Sequence, residues 1–218
     1  MASQVVQRIS VRWLPEPAYE DTDTIALNVG GYFIDLRVEK ETQAIQWSRA
    51  GERIPLKDDP PTYRWTHIID SLDLTVPDEA YFNKLSNGDD IEIGSTPCPH
   101  KDGAVTDYEE VWRDITSNPL KTSSWILQSQ DGSTFIGRVG DVYFAIRKDA
   151  DGSFSARKST PKSSSDTWES LFESNTASVL PRADDAIKAV EAVRQGLDRG
   201  SSVQIGDIEF IVRAFKKE

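Results

Sequence analysis

Apolar and polar positions alternate with period two through most of the chain. Val5, Ile9, Val11 and Trp13 fall on one face of an extended stretch, with Arg8, Ser10 and Arg12 on the other. Tyr32, Ile34, Leu36 and Val38 alternate with Phe33, Asp35 and Arg37. Ile45 points with Trp47, and Tyr63, Trp65, His67 and Ile69 keep one phase. Further on, Val142, Phe144 and Ile146 alternate with Tyr143, Ala145 and Arg147, and Ile208, Phe210 and Val212 with Glu209, Ile211 and Arg213. Successive side chains of a strand point to opposite faces, so these runs predict half-buried antiparallel strands. Turn-forming pairs separate them: Gly30-Gly31, Asn87-Gly88, Asp131-Gly132, Gly140-Asp141, Asp151-Gly152 and Gly206-Asp207. Glycine and asparagine reach the positive φ that tight hairpins require.

One segment changes period. Ala186, Ile187, Val190, Val193 and Leu197 recur at spacings of three and four. Asp184 and Asp185 stand near the start, Arg194 and Arg199 near the end, and Gly200 follows, as the helix dipole and a C-terminal stop favour. The spacing predicts an amphipathic helix over residues 183–198, its apolar stripe against a sheet or a barrel mouth. The two halves of the chain echo each other weakly, since Thr24–Asn28, a glycine turn and Tyr32–Val38 resemble Trp125–Ser129, Asp131-Gly132 and Thr134–Val139. Each half holds enough strands for a small barrel. The expectation is therefore a mainly β protein of two small antiparallel β-barrels. The first spans residues 1–118 and the second 119–218, with a linker beginning at Asn118-Pro119. Residues Arg157 to Thr167 are of low complexity and read as a mobile loop.

Charge narrows the partners. Of 218 residues, 25 are Lys or Arg and 36 are Asp or Glu, a net charge of −11. Residues 1–118 carry 11 basic and 22 acidic side chains, whereas residues 119–218 carry 14 of each, so the first half holds the whole excess. An acidic chain is a poor fit to nucleic acid or to anionic membrane surfaces. The acidic surface, Glu109 and Glu110 included, is the candidate contact face for a basic protein partner. No apolar run reaches the length of a membrane span, and the N-terminus has no signal-type apolar core. Those features favour a cytoplasmic protein, one that also has access to the nucleus.

Candidate chemistry is sparse. The single cysteine forms no intrachain disulfide, and Pro97-Cys98-Pro99-His100 lacks the further ligands of a zinc shell. Asp149-Ala150-Asp151-Gly152 lacks the Glu that closes an EF-hand loop and reads as a hairpin turn. The paired carboxylates are sequence neighbours, which strand geometry sends to opposite faces. Nothing calls for a cofactor or a metal, and no catalytic set emerges. The aromatic side chains are more suggestive: Trp47, Trp65, Trp125 and Phe144, with His67, would either fill the barrel interiors or line a site for one apolar small molecule. Thr160, Ser163 and Ser165 are candidate phosphorylation sites, with Arg157, Lys158 and Lys162 placed to offset the phosphate.

Several stretches resemble the fungal Hri-one family: Gly31-Tyr32-Phe33-Ile34-Asp35-Leu36-Arg37, then Gln46-Trp47-Ser48-Arg49-Ala50-Gly51, then Tyr108-Glu109-Glu110-Val111-Trp112-Arg113-Asp114, and the closing block from Gly200 through Phe215. They occur in the family's order across most of the chain. The resemblance implies two lipocalin-like domains and association with a casein-kinase-one-type protein kinase, and it implies no catalytic residues. Two functional expectations follow. The first is a non-enzymatic protein-interaction module. The second is a carrier, or a pocket isomerase or cyclase, that uses a barrel interior.

Overall fold

The structure, a computed structural model, describes residues 2–98, 101–117, 122–163 and 167–217. The first half forms β1 (Gln4–Trp13), β2 (Thr22–Val29), β3 (Tyr32–Glu39), β4 (Ile45–Asp58), β5 (Pro61–Trp65), β6 (Ile69–Asp70), β7 (Asp78–Lys84), β8 (Asp90–Pro97) and β9 (Val105–Asp114). The second half forms β10 (Ser124–Ser129), β11 (Thr134–Val139), β12 (Val142–Lys148), β13 (Phe154–Pro161), β14 (Trp168–Glu173), the helix α1 (Ala183–Val193), β15 (Ser202–Ile205) and β16 (Ile208–Lys216). The helix expected at 183–198 is thus confirmed, with its last part tightened into a 3-10 turn at Arg194–Gly196.

The N-terminal sheet runs β3-β2-β1-β9-β8-β7-β5-β4-β6, and β3 also pairs with β4. That last pairing closes eight strands into an antiparallel barrel, with β6 as an appendage on β4. The C-terminal sheet runs β14-β13-β12-β11-β10-β16-β15. Among the described residues its edge strands β14 and β15 do not pair, so the second half is an open sheet beside a closed barrel.

Burial on both faces explains this arrangement. On β12, Phe144 and Ile146 pack into one apolar cluster and Tyr143 and Ala145 into another. The first cluster is shared between the halves. Leu27, Val29, Ile34 and Leu36 from the outer wall of the barrel meet Ile126, Phe135, Val139, Phe144 and Ile146 of the second sheet. The second cluster is closed by α1, which lays Ala183, Ala186 and Val190 beside Trp125, Tyr143, Phe210 and Val212. Barrel wall, sheet and helix therefore form three layers. Gly137 permits a close approach, because a Cβ there would stand 3.0 Å from Ile34 Cδ1.

Two phases differ from the sequence pattern. A bulge between Arg8 and Ser10 shifts the register of β1 against β9. Val5 accordingly packs outward into the shared core, while Val11 pairs with Glu110 and Trp13 with Tyr108. In addition, β5 ends at Trp65, so His67 lies in the connection to β6 rather than within a strand, and Ile69 joins the outer core. The segment from Arg157 is no mobile loop either. Arg157 to Pro161 belong to β13, where Arg157 donates to the carbonyls of Ala177, Leu180 and Pro181 and Lys158 pairs with Asp23 of the barrel. Residues 118–121, including the expected linker, lie outside the described residues.

Because one apolar core joins the two halves, we expect Ile34→Ala to cost roughly 3 kcal/mol by the usual price of truncating a fully buried branched side chain. In urea denaturation, signals from the barrel and from α1 should shift together. Separate midpoints would contradict a shared core.

Candidate functional site

Inside the barrel the alternation brings charge inward. On β3, Asp35 and Arg37 are buried while Ile34 and Leu36 face the shared core. On β9 the inward residues are Tyr108, Glu110 and Trp112, all at most 7 % exposed. Glu110 Oε1 accepts from Arg8 Nη1 at 2.6 Å and from Arg37 Nη1 at 2.8 Å. Arg8 also donates from Nε to Glu20 at 2.8 Å and from Nη2 to Thr22 Oγ1 at 2.9 Å. Arg37 grips Asp35 Oδ2 through Nε and Nη2, at 3.1 and 3.0 Å. Arg49 pairs with Asp78. Buried ion pairs of this kind cost much of their attraction in lost hydration, but losing one partner strands the other charge.

This corrects the expectation for the acidic face. Glu110 is an interior ligand of two arginines and offers nothing to a partner. Period two sends its neighbour Glu109 outward, where it stands 3.4 Å from Arg12.

One acid in the network is different. Glu92 on β8 sits directly across from Glu110 on β9. Burial, then the negative charge of Glu110, pushes Glu92 up to about 7. Glu110 is held below the usual carboxylate range: burial opposes this, and Arg37 and Arg8 outweigh it. Tyr108 donates its hydroxyl to Glu92 Oε1 at 2.7 Å. Gly94 allows that contact, since a Cβ there would meet the Tyr108 hydroxyl at 2.8 Å. Two carboxyls with separated proton affinities thus face each other in the barrel, and Glu92 is the site residue that sequence reasoning missed.

Beside this network lies a cavity of about 370 Å³. Phe33, Tyr63, Trp65, Phe82 and Trp112 wall it, Ala26, Asn28, Asp35, Arg49, Arg53 and Glu92 are among the other residues that line it, and so are Lys84 and Asp90, which pair at 2.8 Å. Three atoms of its lining residues are buried without a hydrogen-bond partner among the described residues: Asp35 Oδ1, Arg49 Nε and Trp112 Nε1. Such orphaned groups are rare in folded proteins and each calls for an explanation.

The residues singled out from the sequence scatter. Trp65 lines the cavity. Trp47 and His67 stack at 6.1 Å. Both turn to Asp70, which accepts from Trp47 Nε1 at 2.9 Å and lies 2.7 Å from His67 Nδ1. Burial lowers the His67 proton affinity, but its hydrogen bonds with Asp70 and Asp78 leave it raised overall. Trp47 also lies under Arg49, whose guanidinium carbon is 4.0 Å from the ring centre. Trp125 and Phe144 line no barrel interior: the first is packed under α1 and the second between barrel and sheet. Thr160 lies within β13 opposite Glu169, and Ser163 is exposed just beyond the strand. Ser165 and His100 lie outside the described residues. Cys98 is buried, and Asp149 to Gly152 form the turn between β12 and β13. A second cavity, about 580 Å³, lies between the end of α1 and β16 and is lined by Arg138, Glu191, Arg194, Phe215 and Lys217 among others. No described helix is long and apolar enough to cross a membrane.

Comparison with known proteins gives a family and a fold. The family model described as Protein HRI1 matches residues 4–212. The crystal structure of uncharacterized protein YLR301w from Saccharomyces cerevisiae superposes with a TM-score of 0.75 at 13% sequence identity, covering 100% of both chains. No curated protein matches the sequence.

The raised Glu92 sets a pH dependence. Between its ordinary value and about 7 the folded chain holds a proton that the unfolded chain has released, so stability falls as pH rises through that window. Glu92→Gln keeps the neutral form's shape without the proton. Relative to the parent, the variant should gain on the order of 2 kcal/mol between pH 5 and pH 8 in denaturant titrations. A constant difference across that range would contradict the assignment.

Proposed function

We propose that this chain, which belongs to the family described as Protein HRI1, binds a small molecule with a flat apolar body inside its N-terminal barrel. The observation that carries the reading is the cavity beside the ion-pair network, walled by five aromatic rings. Eight-stranded barrels either fill with side chains or hold one ligand, and 370 Å³ is within the range of small-molecule sites. Rings on several sides supply apolar area and edge or face contacts to a planar guest. Polar side chains of the lining, Asn28 and Lys84 among them, would fix its orientation.

The interaction-module reading has less behind it. Its acidic contact face loses Glu110 to the interior and finds Glu109 already beside Arg12. The catalytic variant of the pocket reading has a raised carboxyl in Glu92 but no identified substrate geometry, so binding is the conclusion.

Fluorescence titration with 1-aminoanthracene, a planar uncharged probe, tests the proposal. We expect saturable one-to-one binding. Ala26→Phe places a ring into the cavity from β2 and should weaken binding at least tenfold while the circular dichroism spectrum stays that of the parent. Undiminished binding by a folded Ala26→Phe protein would refute the cavity as the site.

A further inference from the structure

The second cavity, of about 580 Å³, differs from the first in its chemistry. Strand register explains where it lies. Arg138 on β11 and Phe215 on β16 each stand directly opposite Trp125 on β10. Residues paired in this way share a face, so the three form a row across the second sheet, on the side where Trp125 packs with α1. Two residues further along a strand the face is the same, which adds Ser123 and, just beyond β16, Lys217. The buried stripe of α1 stops at Val190, and Glu191 and Arg194 from its last part line the cavity instead. The cavity thus lies where the sheet face runs past the apolar stripe of the helix.

Charge identifies the guest. Among the described residues the lining holds three cationic side chains, Arg138, Arg194 and Lys217, and one acidic, Glu191, a balance of +2 in a chain whose net charge is −11. Glu191 is engaged within the lining: Oε2 accepts from Arg194 Nη1 at 3.0 Å and Oε1 from Ser123 Oγ at 3.4 Å. Arg138 keeps 7 % of its surface exposed and faces the cavity from the sheet. Its Nε donates to the Gly140 carbonyl at 3.1 Å and its guanidinium carbon stands 5.3 Å from the ring centre of Trp168, contacts that fix the orientation of the group. The C-terminal end of α1 opposes an anion, but that field fades within a turn and is screened by salt, whereas the two arginines and the lysine carry full charges.

We propose that this cavity binds a small aromatic phosphomonoester, its dianionic head held by Arg138, Arg194 and Lys217 and its ring packed on Phe215. Guanidiniums match the oxygens of a phosphate through paired N–H donors, and an ammonium adds a mobile point charge. A dianion answers the balance of +2. The volume exceeds what a bare anion fills, and Phe215 gives the remainder an apolar surface for a ring. The site is built from β10, β11, β16 and α1, none of which belongs to the barrel, so it is independent of the barrel proposal.

Isothermal titration calorimetry at low ionic strength, with phenyl phosphate, inorganic phosphate, benzoate and benzylammonium, tests this. We expect phenyl phosphate to bind one-to-one, about tenfold tighter than inorganic phosphate, which lacks the ring, and than benzoate, which lacks the second charge. Its affinity should rise as the phosphate loses its second proton at about pH 6, while that of benzoate stays level through the same range. No histidine stands in the described lining to titrate there. Arg194→Glu combined with Lys217→Glu reverses two exposed charges and should weaken phenyl phosphate by about tenfold or more, with the circular dichroism spectrum of the parent. Ala26→Phe, which alters the barrel cavity, should bind phenyl phosphate as the parent does. Absence of phenyl phosphate binding, an unchanged affinity in the folded double variant, or loss of binding in Ala26→Phe would overturn the site. Tightest binding by benzylammonium, benzoate or inorganic phosphate would overturn the ligand class. The barrel proposal turns on 1-aminoanthracene instead, so the two can fail separately.

Discussion

A carboxylate with two guanidiniums on one oxygen holds the centre of this barrel. Glu110 Oε1 receives both Arg8 and Arg37, and through Arg37 the chain of contacts continues to Asp35. These residues come from β1, β9 and β3: β1 pairs with β9, and β3 stands two strands from β1, so Arg37 reaches Glu110 across the curved wall of the barrel. Charges buried at this depth tolerate no loose ends, since breaking such a pair by removing one partner costs about 3–5 kcal/mol. Register follows from the same constraint. Slipping β3 by one residue would drive Asp35 and Arg37 into the shared apolar core and turn Ile34 and Leu36 onto the ion pairs. The network therefore acts on specificity more than on net stability, by penalising every other pairing.

The cavity is a consequence of filling a barrel in this way. A hydrocarbon interior can pack to crystal-like density, because branched side chains adjust to one another. Guanidiniums and carboxylates are confined to the directions of their hydrogen bonds, and the large rings of Trp65, Phe82 and Trp112 cannot follow them into every corner. Space is left where the two chemistries meet. Asp35 and Arg49 line it from the ionic side and Trp112 from the aromatic side. A closed barrel with a half-charged end is poorly optimised as a structural plug and well suited to selecting a guest by both shape and polarity.

Much of the architecture is visible in the sequence because it depends on periodicity. The runs at Tyr32–Val38 and Val142–Arg147 become strands in the expected phase, and the Ala186-to-Val190 stripe becomes the buried face of α1. Which face of a strand lies inside is not periodic information. Tyr108, Glu110 and Trp112 share a phase, and their aromatic members are the one signal that the glutamate between them turns inward. A carboxylate in isolation reads as solvent-facing, since its burial is favourable only beside Arg8 and Arg37, about a hundred and about seventy residues away in sequence. The bulge between Arg8 and Ser10 was equally hidden, because it reverses the inward face of β1 without any glycine or proline to announce it. Trp125 and Phe144 were credible cavity residues only while the second half was expected to be hollow. Once its sheet is covered on both sides, large rings there are filling. The burial of Glu92 is hidden in the sequence for the same reason as that of Glu110, and its raised proton affinity depends on a cross-strand neighbour that pairing alone supplies.

The open second sheet also has a physical role in the barrel's chemistry. Tyr32, Ile34, Leu36 and Val38 are gripped by the shared core, and the residues between them, Phe33 and Asp35, line the cavity. One strand therefore carries packing on its outer face and recognition on its inner face. An isolated barrel would expose Ile34 and Leu36 to water and leave β3 free to flex. Here the strand is pressed between its neighbours β2 and β4 and the Phe135–Phe144 surface of the second sheet, with Ile34 seated against Gly137. Site groups on such a braced element hold their geometry better than groups on loops. The placement of Asp35 against Arg49 is accordingly set from outside the barrel as much as from within it, and the second half of the chain serves the first by stiffening the wall from which the site is built.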